Sequence, residues 1–265
     1  YINASLCYLL SKTLTEANNP YGLTSDTDSH LIKNSEWGAA AYLSYSIFGK
    51  TGGEYNTDNE VYINNVSYSA YNATSTINSI RGNGSYAITG YSGSAASSGQ
   101  NVLTKTELKD SVSGSAGTSY AWYTFKGTNA STTGNISGIY DIVGGAQEFV
   151  AAYIDGQTGT DIFPLYDSKY YDVYPKNAID YFYKYRILGD ATGEIGPFYQ
   201  YNDFDGNSRT HSSWYNSISN RPSTSYSILF RGGPYSSESV ASQFHFNITS
   251  GHQASNTGFR IVLVP

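Results

Sequence analysis

Residues 138–154 read GIYDIVGGAQEFVAAYI. The paired glycines Gly144 and Gly145, with the apolar, β-favouring run after them, read as a turn feeding a strand. Two further strands stand out downstream, YSILFR at 226–231 and TGFRIVLV at 257–264. They bracket RGGPYSSESVASQFHFNITSGHQASNTGFR (231–260), whose firm ends, Arg231-Gly232-Gly233 and Gly258-Phe259-Arg260, enclose mostly small and polar residues with a few aromatics.

Upstream, ASLCYLLSKTLTE (4–16) can make an amphipathic helix with Leu6, Leu9, Leu10 and Leu14 near one face. Such a helix either packs on the domain or is the tail of an anchoring or filament-forming helix. Asn18-Asn19-Pro20-Tyr21-Gly22 is a turn. Ser35 can cap a helix of roughly 36–48, with Trp37, Ala40, Ala41 and Leu43 on its buried side. Residues 50–135 are rich in Gly, Ser, Asn and Thr and carry short alternating pieces such as VYINNVSY (61–68), so they read as loops and short strands. A short helix or turn is expected at TKTELKDS (104–111). No internal repeat or linker stands out. The pattern predicts a mixed α+β protein with few helices, short strands and much irregular structure.

Composition narrows the function. The chain has 265 residues, 39% hydrophobic and only 14% charged, so its polar surface comes from Ser, Thr, Asn, Gly and 27 tyrosines. Tyr offers large rigid contact area with one hydroxyl, while Ser and Gly offer adaptable contacts. The net charge is −6 and no Lys/Arg cluster occurs, which argues against a nucleic-acid partner. No run of roughly 18 apolar residues is present, so no membrane span is expected. A single cysteine, Cys7, excludes an intramolecular disulfide framework and a Cys-rich zinc site. The sequence starts at Tyr1 and contains no Met, so the numbering is expected to begin inside a longer or processed product.

Catalytic signatures are thin. The histidines His30, His211, His245 and His252 have no HExxH partner and read as loop or strand surface. DFDGN (203–207) opens like a calcium loop, but it lacks the sixth-position Gly and would place Trp214 at position twelve, so it reads as an ordinary turn. No GxSxG occurs, and Cys7 lies in a helix without a nearby His, as a buried thiol would. Asp141, Glu148, Asp155 and Glu194 could be paired on paper for glycoside hydrolysis, but that chemistry depends on their separation in space. The sequons at Asn65, Asn72, Asn129 and Asn247 are expected by chance in a chain this rich in Asn, Ser and Thr.

Three stretches together resemble one family. KNSEWGAAAYL (33–43) resembles the EAEWEYAAR helix of the formylglycine-generating-enzyme family. GIYDIVGGAQEFV (138–150) resembles its GLYDMVGNVWEWV turn and strand, and LFRGGPY (229–235) with GFRIVL (258–263) resembles its RVLRGGSW…GFRVV ending. The same fold and closing segments occur in the variable proteins of diversity-generating retroelements and in related surface proteins of gut Firmicutes, and STTGNISGIYDIVGGAQEFV (131–150) is very similar to the latter. The resemblance implies a C-type-lectin-like fold over residues 31–265, with 1–30 a helix and turn leading into it.

The family's oxidase chemistry needs a copper-binding cysteine pair near the end of the domain, and 226–265 contains no cysteine. The resemblance therefore implies a scaffold without that enzyme activity and with no required cofactor. In the variable proteins the segment between RGG and GFR displays the ligand-binding residues. Carried over, these are Pro234, Tyr235, Ser236, Ser237, Glu238, Ser239, Gln243, His245, Asn247, Thr249, His252, Gln253, Ser255 and Asn256, with Trp214 and Tyr215 bordering the same surface. Phe244, Phe246 and Ile248 alternate with His245 and Asn247 as in a half-buried strand. Gly232 and Gly233 would allow tight turns, Arg231 and Arg260 would pair with buried carboxylates such as Glu148 or Asp141, and Glu36 and Trp37 would serve packing.

The family's GNxWE turn binds calcium. Its matching positions here are Val143, Gly144, Ala146 and Glu148, but Gly145 stands for Asn and Gln147 for Trp. A structural calcium is one reading of that turn, and an Arg–Glu pair or a hydrogen-bonded Glu is the other. The expected partner is a protein or glycan ligand on another cell or host surface. The expected location is extracellular, on a bacterial surface, a pilus-like filament or a phage. The competing expectation is a structural or adhesive filament subunit that self-associates.

Overall fold

The computed structural model describes residues 2–50, 91–93, 111–114, 117–143, 146–154, 168–174, 198–200, 210–212, 218–219, 226–233, 243–252 and 257–265. In chain order the elements are helix α1 (Ala4–Lys12), strand β1 (Asp28–Leu31), helix α2 (Asn34–Ser44), β2 (Tyr91–Gly93), β3 (Ser111–Gly114), β4 (Gly117–Ala121), β5 (Gln147–Ile154) and β6 (Asp172–Tyr174). There follow β7 (Phe198–Gln200), β8 (Thr210–Ser212), β9 (Ile218–Ser219), β10 (Ile228–Arg231), β11 (Phe246–Thr249), β12 (Thr257–Phe259) and β13 (Ile261–Val264). Among the described residues two α-helices and many short strands make a mixed α+β arrangement, and no helix among them is long and apolar enough to cross a membrane. The chain divides into two compact units. One holds 1–39, 147–231 and 244–265; the other holds 40–146 and 232–243. α1 is part of the first unit.

The first unit is built on a mixed sheet in the order β12-β5-β10-β11-β9-β8-β7, with β6 also pairing β5. A separate two-stranded pair joins β1 to β13 in antiparallel register, Asp28 opposite Val264 and Leu31 opposite Ile261. The expected single strand 257–264 is thus two strands. The chain switches sheets at Arg260, whose carbonyl accepts the Ile32 N–H at 3.0 Å. β1 itself had no clear sequence signal, because only four residues carry it between a turn and a helix cap.

The core of this unit gathers Ala4, Cys7, Tyr8, Leu31, Phe149, Ala151, Tyr153, Tyr171, Ile228 and Phe230. The buried face of α1 is Ala4, Cys7, Tyr8 and Ser11, not the leucine stripe. Small residues at that spacing let the helix axis lie close to β1, and Tyr8 fills the remaining space beside the Tyr171 ring, 6.0 Å away. Ser29 Oγ on β1 donates to the Ser11 carbonyl. Leu6, Leu9 and Leu10 consequently point outward, 44%, 49% and 41% exposed. The helix opens where Asn3 Oδ1 accepts the Leu6 N–H at 2.8 Å.

α2 begins before the predicted position and ends at Ser44 rather than near 48. Its opening is not capped by Ser35. Glu36 reaches back to accept the Lys33 N–H at 2.9 Å, the return half of a capping box. Ser35 instead bonds Asp172 of β6 through its N–H at 2.7 Å and its hydroxyl at 3.1 Å. The buried positions of α2 include Asn34, Trp37, Ala41 and Ser44. Leu43, expected inside, is 62% exposed. Six residues beyond Trp37 it lies about 240° around the helix from it.

The second unit contains the three-stranded sheet β2-β4-β3. A 3₁₀ turn at Gly127–Ala130 leads to a bridge between Ser131 and Tyr140. The Thr132 N–H bonds the Ile139 carbonyl at 3.0 Å and the Lys50 N–H bonds the Thr132 carbonyl at 2.9 Å. Ala121, Ala130, Ile142 and Val143 are buried here. The predicted pieces at 61–68, 104–110 and 203–207 lie outside the described residues.

Candidate functional site

The turn-and-strand stretch that opened the sequence reading becomes β5, and β5 places the two anchors. Arg231 of β10 lies opposite Glu148 of β5 in antiparallel register. Gly258 of β12 lies beside the same Glu148 in parallel register on the other side. The segment between RGG and GFR therefore starts and returns at one residue.

Both anchor arginines are turned inward. Arg260 grips Glu148 with two bonds, Nη2 to Oε1 at 2.6 Å and Nε to Oε2 at 3.0 Å. Burial pushes the Glu148 carboxyl up from its ordinary range, and the charge and hydrogen bonds of Arg260 oppose that shift. Arg231 is fully buried and donates from Nη1 to Asn34 Oδ1 at 2.7 Å. Its guanidinium lies 5.8 Å from the rings of both Trp37 and Phe246, and that of Arg260 lies 5.9 Å from Trp37. Buried Trp37 thus faces two guanidinium groups at cation–π distance. The expected Arg–carboxylate pairing holds for Arg260 and Glu148. Arg231 was expected to pair with a carboxylate, and the structure shows the Asn34 amide among its partners.

Between the anchors, Gly232 and Gly233 both take left-handed backbone, φ 81° and 71°, a conformation that a side chain would strain. The chain returns as β11, which pairs Phe246 opposite Arg231. Gln243 and His245 are only 1% exposed, so neither presents its side chain at a surface as the sequence reading expected. Gln243 Oε1 accepts from the hydroxyl of Ser44. The expected alternation is absent at its start. Phe244, His245 and Phe246 are buried in succession, because the strand begins only at Phe246 and the two residues before it belong to a tucked turn.

Asn247 and Thr249 are half-buried, and each accepts a local backbone N–H, from Ile248 at 2.9 Å and from Gly251 at 3.2 Å. His252 is exposed. Trp214, Tyr215, Pro234, Tyr235, Ser236, Ser237, Glu238, Ser239, Gln253, Ser255 and Asn256 lie outside the described residues.

No family model, curated protein or solved structure matches this chain.

The turn before β5 was one candidate for calcium. Val143 is buried, Ala146 is exposed and Gly144 lies outside the described residues. Both oxygens of Glu148 already serve Arg260. A cation bound through Glu148 would have to share its oxygens with the Arg260 guanidinium. The Arg–Glu pair is the arrangement present. Among the described residues no group of three or more His, Cys, Asp and Glu is placed to hold a metal.

Two further expectations concern single residues. Cys7 is fully buried in α1, and burial pushes its thiol up to about 12. His30 is not a surface residue. It is 4% exposed on β1, between the carboxylates of Asp28 and Glu36. The sequence carried a faint sign of this, an Asp two residues before the His and a helix-opening Glu six residues after it.

Proposed function

We propose that this chain is a non-enzymatic recognition domain of C-type-lectin-like fold, displayed outside a bacterial cell or on a phage, that binds a protein or glycan through the segment between RGG and GFR. One observation carries the reading: Arg231 and Gly258, the two ends of that segment, flank the same buried residue, Glu148. Each end is then fixed by an inward-facing arginine. Rigid ends joined by small polar and aromatic residues are what an adaptable binding surface requires. With Gln243 and His245 buried, the described contact residues reduce to Asn247, Thr249 and His252, beside the aromatic and polar residues of 234–239 and 253–256.

The test is a glycan array together with a panel of intact cell surfaces, probed with the labelled chain and with Tyr235→Ala, Glu238→Ala and His252→Ala variants. Binding that the variants lose while their melting temperatures stay unchanged supports the reading. Binding that all three retain in full overturns it.

The second reading is a self-associating filament subunit. The outward leucines of α1 favour it, since Leu6, Leu9 and Leu10 form an apolar stripe on the described surface. Light scattering over a concentration series distinguishes the two. A mass that rises with concentration and is reset by Leu9→Asp supports the subunit; a constant monomer mass removes it.

A further inference from the structure

His30 sits where three elements of the first unit meet. Its Nδ1 is 3.2 Å from Asp28 Oδ1, and its Nε2 is 3.0 Å from Glu36 Oε1 and 3.2 Å from Glu36 Oε2. A neutral imidazole has one N–H, so one ring nitrogen would turn a lone pair toward a carboxylate. Only the imidazolium donates to both sides at once. The ring is almost fully buried, so little bulk water reaches it.

Among the described residues the neighbouring charges are few. Asp28 also meets Lys169 Nζ at 3.5 Å, and Glu36 meets Lys33 Nζ at 3.4 Å. Tyr170 lies against the imidazole at 5.6 Å, and Lys12 of α1 and Lys169 sit over that same Tyr170 ring at 4.3 and 4.6 Å. The two carboxylates contact the ring directly, whereas the lysines reach it only through them or through Tyr170. The Glu36 hydrogen bond raises the His30 pKa above its ordinary value against the opposing effect of burial.

Glu36 has two tasks at once. It accepts the hydrogen bond of His30 Nε2 and it accepts the Lys33 N–H that opens α2. The first turn of α2 in turn carries Asn34, which holds Arg231, and Trp37, which faces both anchor arginines.

We infer that His30 is a protonation-dependent clamp. As an imidazolium it ties β1, and β13 paired to it, to the first turn of α2, and loss of its proton loosens that corner beneath the anchors. The corner is held closed between the pH at which Glu36 takes up a proton and the pH at which His30 gives one up, and it is released above the latter.

The test uses the whole chain labelled with ¹⁵N-histidine, following two-bond ¹H–¹⁵N correlations across a pH series. The expected result is that the ring titrates above the ordinary imidazole value of about 6.5 and that both His30 nitrogens are protonated below that midpoint. Glu36→Gln should lower that midpoint by about 1–3 pH units. Because Glu36 also caps α2, Asp28→Asn supplies a second variant with the same direction of effect. Exchange of the Ile32 amide, corrected for its intrinsic rate, should accelerate as the pH passes the His30 midpoint in the wild type. A His30 midpoint at or below about 6.5, a midpoint unmoved by both variants, or Ile32 exchange that ignores the midpoint would each overturn the clamp.

Discussion

Arg260 holds Glu148 by both arms of its guanidinium, at 2.6 and 3.0 Å, and Glu148 is the residue on which both ends of the candidate segment converge. The pair is shielded, with 24% of the Arg260 side chain and 11% of the Glu148 side chain exposed. Removing one member strands the other charge in a poorly solvated place. Glu148→Gln should cost about 3 kcal/mol, near the low end for a broken buried pair. Arg260→Lys keeps the charge but loses the fork and should cost less, about 1 kcal/mol. Urea midpoints for the two variants and the wild type measure both. Equal losses for both would mean that the fork geometry contributes nothing.

The Asn34 amide is a partner of fully buried Arg231. Asn34→Ala removes an acceptor from a buried cation and should destabilise by about 1–3 kcal/mol. Asn34→Asp supplies a charged acceptor and should keep most of the stability. Thermal unfolding of the three proteins decides the point, and an alanine variant as stable as the wild type would show that Arg231 draws on other partners.

The segment between the anchors should respond unevenly to alanine. Phe244 is fully buried and its truncation should cost about 3–5 kcal/mol. His252 is exposed, and His252→Ala should stay within about 0.5 kcal/mol of the wild type. If the melting temperatures of the two variants are alike, the burial boundary within this segment lies elsewhere.

The His30 contribution to stability should fall as pH rises above the ordinary imidazole value of about 6.5. His30 has a folded-state pKa above its unfolded value, so its contribution is complete below the unfolded value and disappears as pH rises through the folded one. Glu36 behaves oppositely. Burial works against its carboxylate, but His30, the Lys33 N–H and the Lys33 charge outweigh that and leave its pKa lowered. Its contribution is present above the unfolded value and is lost as pH falls through the folded one. The urea midpoint should therefore decline on the alkaline limb in the wild type and change less there in His30→Gln. Parallel pH profiles for the two would sink this prediction.

Cys7 should be silent in the folded chain. A thiol pushed up to about 12 and buried at the helix–strand contact carries almost no thiolate at neutral pH. Ellman's reagent should register it only after denaturant is added. Stoichiometric labelling of the native chain would mean that α1 leaves its seat readily.

Much of the first unit was legible in the sequence, and the failures have physical causes. GIYDIVGGAQEFVAAYI announced β5 through its glycines and its apolar run. Arg260 with Glu148 was foreseen as a pairing because a buried arginine needs a counter-charge. The buried side of α1 was misjudged, since hydrophobicity alone favours leucine and ignores that Ala4, Cys7 and Ser11 let the helix pack closer. Trp37 and Ala41 were placed correctly in α2 and Leu43 was not, because its angular position outweighs its side chain. His245 and Gln243 looked like contact residues by type, and only the tertiary course of the chain shows them covered. His30 escaped for the same reason. A histidine's partners come from a strand, a helix and a turn that sequence order does not align.

The pairing of β1 with β13 sets Asp28 opposite Val264 and His30 opposite Val262. β5 likewise takes its neighbours from residues 172–174, 228–231 and 257–259. Such distant partners make loop closure costly and folding slow. During synthesis β1 emerges long before β13 and must wait, without that partner, until β13 has left the ribosome. The edge that β13 covers stays open for all of that time, so this short strand gives a chaperone or a neighbouring nascent chain a long opportunity to intervene.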